Sequence, residues 1–179
     1  MLEYINNLNI YYKTLIILII YEILLMIKRK MNRRYLYKKA QKRAREQNKK
    51  LLVIGDPYNG LASITTGIDY DCGDLCIDVT GCELCKNKLK SRLEDAIQTI
   101  NLNEYVMYIS CVLEYVDDLP LILNYLNKID KNDRYIVTVE WYSLSAYLYP
   151  YFITNERPPK YIIYSTGNEI KYYLNPIHN

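Results

Sequence analysis

The pattern of apolar and polar positions divides the chain near residue 50. Ahead of that point lies one long apolar stretch, Leu15–Tyr21 followed by Ile23–Ile27, with Ile10, Tyr11 and Tyr12 before it and Lys13 and Glu22 as its charged interruptions. Leu8–Ile27 is twenty residues, enough for a helix to cross a hydrocarbon layer of about 30 Å. A charged Glu22 near the centre opposes that reading by about 2.5 kcal/mol or more, a cost that protonation or a partner helix would reduce. The alternative is an amphipathic or buried helix. A cleaved signal peptide is not expected, because residues 1–9 carry no basic side chain and no small-residue cleavage site follows the apolar core. Tyr35–Gln47 is rich in helix formers without Gly or Pro, so one helix is expected to continue from the apolar stretch into a basic stalk.

Beyond residue 50 short apolar runs alternate with turn signals. Leu51–Ile54, closed by Gly55-Asp56-Pro57, reads as a buried parallel strand, and Leu75–Asp78 as a second. Tyr105–Ser110 and Tyr135–Glu140 flank Leu119–Ile129, where Leu119, Ile122, Leu123, Leu126 and Ile129 follow helical spacing behind Asp117 and Asp118; together they form a βαβ unit. Lys90–Ile100 fits either a helix or a strand and turn. Tyr161–Tyr164 and Ile170–Leu174 straddle Ser165-Thr166-Gly167-Asn168 as an antiparallel hairpin. The expected class is α/β, a mostly parallel sheet ending in a hairpin.

Charge follows the same division. Lys28–Lys50 holds twelve basic residues and one acidic, a net +11, whereas residues 51–179 hold ten basic and seventeen acidic, a net −7. The positive charge therefore belongs to the segment beside the apolar run, where it would attract anionic lipid headgroups, and no specific nucleic-acid partner is expected. With most flanking Lys and Arg C-terminal to the span, the positive-inside rule places the following domain in the cytosol. The expected organisation is a membrane-spanning helix at 1–27, a basic stalk at 28–50 and an α/β domain at 51–179. The single His, His178, leaves none for a serine-type triad or a multi-His metal site.

A parallel sheet with helical crossovers binds its ligand at the C-terminal strand ends. Gly55, Asp56, Asn59 and Gly60 follow the first strand, Asp78 and Thr80 the second, Ser110, Cys111 and Glu114 the third, and Glu140 and Trp141 the fourth. Asp78 lies 23 residues beyond Gly55, near the spacing at which an acid after the second strand holds ribose hydroxyls. Each residue type also occurs in ordinary strand-end turns.

Ser110-Cys111-Val112-Leu113-Glu114-Tyr115-Val116-Asp117-Asp118, followed by a helix and a strand, resembles the fourth-strand region of class I S-adenosylmethionine-dependent methyltransferases. Leu51–Gly60 resembles the first strand and glycine loop of that family. The resemblance covers roughly residues 51–140 and implies a compact Rossmann-like fold. It also implies S-adenosylmethionine as the small-molecule cofactor, with Gly55, Asp56, Asn59 and Gly60 near its methionine end, Asp78 at the ribose, and Ser110, Cys111 and Glu114 on the pocket floor. The chain departs from the family in keeping two glycines and a Pro in the loop and in placing Tyr115 where a His is usual. The methyl acceptor is not legible; the anchor suggests a lipid or a membrane protein. A membrane-tethered scaffold that keeps the fold without the reaction is the alternative.

Cys72, Cys76, Cys82 and Cys85 place four thiols within fourteen residues, a set that tetrahedral zinc accepts. Because the spacing is tight and Cys76 falls inside a strand, reduced thiols are expected instead, as in a cytosolic domain. The tyrosines of Tyr142–Tyr151 read either as an aromatic acceptor or membrane-interface surface or as composition bias, and Trp141 as a pocket wall or a core anchor.

Overall fold

The computed structural model describes residues 10–58, 67–140, 142–144, 159–166 and 169–176. The apolar and basic segments form one helix, α1 (Ile10–Glu46), whose 37 residues extend about 55 Å. There follow β1 (Lys50–Ile54), β2 (Leu75–Asp78), β3 (Lys88–Lys90), α2 (Leu93–Thr99), β4 (Tyr105–Ser110), α3 (Leu119–Leu126), β5 (Arg134–Val137), β6 (Tyr161–Thr166) and β7 (Glu169–Leu174). The strands β1 to β5 form one sheet in the order β3-β2-β1-β4-β5, with every pairing parallel, and β6-β7 form a separate antiparallel pair.

The apolar runs are continuous because both faces of this sheet are covered. Leu52, Ile54, Ile77, Met107 and Ile109 pack against Leu93, Ala96 and Ile97 of α2, Leu119, Ile122 and Leu126 of α3, and Tyr161 and Ile163 of β6. Their neighbours Leu51, Val53, Cys76, Val106 and Tyr108 point the other way, onto Tyr37, Ala40 and Ala44 of α1. Ala40 and Ala44 are 0% and 4% exposed, and their small side chains let the helix backbone lie close to the strands. The basic half of α1 is thus part of the packed domain. Arg43 and Lys49 fasten it further, each 2.7 Å from the buried Asp133 carboxylate. Burial raises the pKa of that carboxyl, but the two cations outweigh burial and leave it below its ordinary value.

Several element ends differ from the sequence reading. The fourth expected strand stops at Val137 rather than Glu140, because the Val139 N–H turns to the Glu114 carboxylate, 2.5 Å away. Helix α3 closes at Leu126, although Ile129 remains in the core. Lys90–Ile100 divides between the end of β3 and α2. Asp118 caps α3 by accepting the Leu121 N–H at 3.0 Å.

Candidate functional site

The strand order reverses between β1 and β4, and in open parallel sheets the C-terminal ends of the strands at such a point are where a ligand crevice forms. Gly55 follows β1 with φ of +104°, and a Cβ there would lie 2.8 Å from the Ser110 carbonyl oxygen. Only glycine fits so close to the end of β4. The next residue, Asp56, donates its N–H to Asp78 Oδ2 at 3.1 Å, while Asp78 Oδ1 accepts the Thr80 N–H at 2.8 Å and the Thr80 hydroxyl at 2.6 Å. Burial, with Asp78 contributing, raises the Asp56 pKa from its ordinary value.

Across the crevice, Cys111 has a φ of +54° and keeps a free thiol, 3.4 Å from Arg33 Nη2. Its N–H bonds to the Val137 carbonyl at 2.8 Å, joining the ends of β4 and β5. Tyr70 lies below the loop, its hydroxyl 3.4 Å from the Gly55 carbonyl oxygen and 3.3 Å from that of Asp56. Tyr37, Tyr70 and Tyr108 stack as a cluster with centroids 4.9–6.2 Å apart. Burial raises all three phenol pKa values, that of Tyr37 to about 12. Beside them a groove of about 560 Å³ runs between α1 and the connection after β1, lined by Arg34, Tyr37, Tyr58, Asp69 and Tyr70 among others.

Gly55, Asp56, Asp78, Ser110 and Cys111 therefore lie together at the strand ends around the switch point. Glu114 lies deeper: 1% exposed, it accepts Val139 N–H, and its carbonyl accepts the N–H groups of Lys160 and Tyr161 at 2.7 and 3.1 Å. It ties β5 to β6, and burial pushes its carboxyl up to about 7. Asn59, Gly60 and Trp141 lie outside the described residues.

The four cysteines are not the reduced thiols expected from their spacing. Cys72 pairs with Cys85 and Cys76 with Cys82. The loop after β2 folds back over the sheet through Gly81 and Cys82, both at positive φ, and lays Cys82 and Cys85 on the face from which Cys76 projects. The sulfurs of Cys76, Cys82 and Cys85 lie within 4.8 Å of one another.

No protein family matches the chain, and no curated protein or solved structure does so either.

Residues that sequence reasoning passed over complete the site. Asp69 is buried with Lys30, Arg33 and Arg34 at 3.5–3.8 Å; burial raises its pKa despite those three cations. Arg33 lies within the run expected as a basic stalk, where nothing in the sequence separates it from its charged neighbours, and Asp69-Tyr70 carries no spacing signal.

The direction of α1 sets where this crevice faces. Arg43 meets Asp133 just ahead of β5, Tyr37 packs on Tyr108 within β4, Arg33 reaches Cys111 past the end of β4, and Arg29 bonds Glu140 past the end of β5 at 2.7 Å. The helix runs antiparallel to the strands, and its apolar half leaves the sheet beyond their C-terminal ends. That half is long and apolar enough to cross a membrane. Along the axis, Arg33 is about 9 Å from Ile27, the last residue of the apolar run.

Proposed function

We propose that the chain is a membrane-anchored, methyltransferase-like protein that binds S-adenosylmethionine at the β1/β4 crevice, with an acceptor presented from the membrane surface. The observation that carries this reading is the reversal of a parallel β3-β2-β1-β4-β5 sheet at a point where Gly55, Asp56, Asp78, Ser110 and Cys111 converge. The residues fit the cofactor in one respect: Asp78, with three of its roughly four acceptor positions occupied, retains capacity for a hydroxyl. Gly55 lets the end of β1 pack closely against the Ser110 carbonyl of β4. When bound, S-adenosylmethionine supplies a methyl group activated on a sulfonium. The chain's own part is to hold an acceptor in line with it and to exclude water, which needs no histidine base. The apolar half of α1 spans the bilayer, and its basic continuation places the domain on the cytosolic side. The crevice then opens at headgroup depth, which favours a lipid or membrane-protein acceptor.

Calorimetric titration of the full chain in micelles with S-adenosylmethionine and its demethylated product tests this. Binding is expected, weakened about tenfold or more by Asp78→Ala. Absence of binding, with Asp78→Ala indistinguishable from wild type, would favour a scaffold that keeps the fold without the reaction.

The convergence of Cys76, Cys82 and Cys85 supports a second, structural role. In a reducing cytosol these sulfurs with Cys72 form a thiolate set, and tetrahedral zinc would hold them about 3.8 Å apart. In an oxidising compartment they persist as the two disulfides. Zinc content of protein purified without added metal, with thiol alkylation before and after reduction, separates the two states.

A further inference from the structure

Glu22 is the residue that the apolar run least accommodates, and the structure gives its carboxylate partners 121 and 122 residues away. Oε2 accepts the Ser143 hydroxyl at 2.8 Å and Oε1 accepts the Leu144 N–H at 2.7 Å. Two turns along the same helix face Arg29 bonds Glu140, and the rings of Tyr21 and Tyr142 lie 6.5 Å apart. Leu25, between Glu22 and Arg29, is the buried residue among those described in the apolar half. The chain after β5 therefore tracks α1 from the level of Arg29 to that of Glu22, about 7.5 Å inside Ile27. Tyr142 and Leu144 are exposed there, as are the apolar side chains of α1 around them. From Trp141 to Asn155 the sequence holds no charged residue and six aromatic ones, the composition of a segment at a membrane interface.

We propose that Tyr142–Leu144 makes a second membrane contact, docked on α1 through Glu22, so that the chain meets the lipid bilayer at two places. Backbone N–H groups at membrane depth must find their hydrogen bonds within the protein. Glu22 supplies one by accepting the Leu144 N–H, and Ser143 in turn donates to the carboxylate. This account rests on α1 entering the bilayer, though not on S-adenosylmethionine binding.

Replacing the chain's single tryptophan, Trp141, leaves a dark background for probes at Tyr142 and Leu144. The full chain is reconstituted in vesicles of phosphatidylcholine carrying bromine on the acyl chains, as Tyr142→Trp and as Leu144→Trp, each in a Trp141→Phe background. Both are expected to emit at short wavelength, to lose most of their emission to the brominated lipid, and to be shielded from aqueous iodide. Glu22→Leu should return the Leu144→Trp signal to iodide while carbonate still fails to extract the chain. Iodide quenching at both positions without bromine quenching would overturn the proposal, and a Glu22→Leu variant still quenched by bromine would overturn the docking role of Glu22. Release of wild type by carbonate would remove the membrane reading of α1 as well, an outcome that titration with S-adenosylmethionine does not share.

Discussion

Replacing Glu114 by Gln should stabilise the protein above neutral pH and weaken it by about 1–2 kcal/mol in acid. The buried carboxyl is pushed from an ordinary 4.5 to about 7 by desolvation, against which the Val139 N–H gives only partial relief. The folded state therefore retains a proton that the unfolded chain has lost between those values. Stability from this group is present in full below 4.5, falls as pH rises through 7, and is flat beyond. At 1.36 kcal/mol per pH unit the gap amounts to about 3 kcal/mol, an upper figure for the gain of the variant near pH 8. Gln keeps an acceptor for Val139 N–H but adds an N–H₂ group that needs a partner, so the gain will be smaller, about 1–2 kcal/mol. Asp56 and Asp69 also have raised pKa values and push in the same direction, whereas the lowered Asp133 loses its contribution as pH falls below the ordinary aspartate range. The difference between wild type and variant removes these shared contributions. Urea unfolding of the full chain in micelles, followed by near-ultraviolet tyrosine dichroism at about pH 4, 6 and 8, gives the comparison. A variant equally destabilised at every pH would refute the reasoning, because it would mean that Glu114 acts only through its bond to Val139.

Gly55→Ala must resolve a 2.8 Å approach to the Ser110 carbonyl at a φ of +104°; it should cost about 1–3 kcal/mol and abolish binding at the crevice, read by urea midpoint and by titration. Reduction of the Cys72–Cys85 bridge, whose sequence separation is 13, should cost about 3 kcal/mol by loop-closure entropy, seen as a lower melting temperature in reductant without metal and partly restored if zinc is added. Ala40→Leu should overpack the contact between α1 and the sheet, lowering stability by about 1–3 kcal/mol while membrane extraction behaviour is unchanged.

Much of the sheet was legible because its strands are apolar on both faces and end on Gly, Asp or Ser. Leu51–Ile54, Leu75–Asp78 and Tyr105–Ser110 mark β1, β2 and β4 to within a residue. The strand β3, Lys-Leu-Lys at the sheet edge, carries no apolar signal, as is usual for an edge guarded by lysine. The end of β5 depends on Glu114, a partner 25 residues away that no local pattern announces. The domain role of the basic helix was concealed by its charge, since its buried stripe consists of one tyrosine and two alanines. Cysteine spacing misled because Cys76 was judged from its strand, without the positive-φ turn at Gly81-Cys82 that brings the other thiols onto it. Within the crevice, Gly55, Asp56, Asp78, Ser110 and Cys111 were found from strand ends, but Arg33 and Asp69 meet only through tertiary packing.

Because α1 precedes every strand, the cover for one face of the sheet leaves the ribosome before the sheet exists. On the proposed membrane reading, insertion of its apolar half would fix that cover at the bilayer, and Leu51, Val53, Val106 and Tyr108 would then have a surface to fold against as each is delivered. A nascent chain that misses the membrane still carries the adhesive half of α1, so its domain matures tethered to an exposed apolar rod. Such mistargeted copies would cluster and draw chaperones or proteases, which on the same reading would make biogenesis self-checking: the completed domain would accumulate where α1 has found lipid.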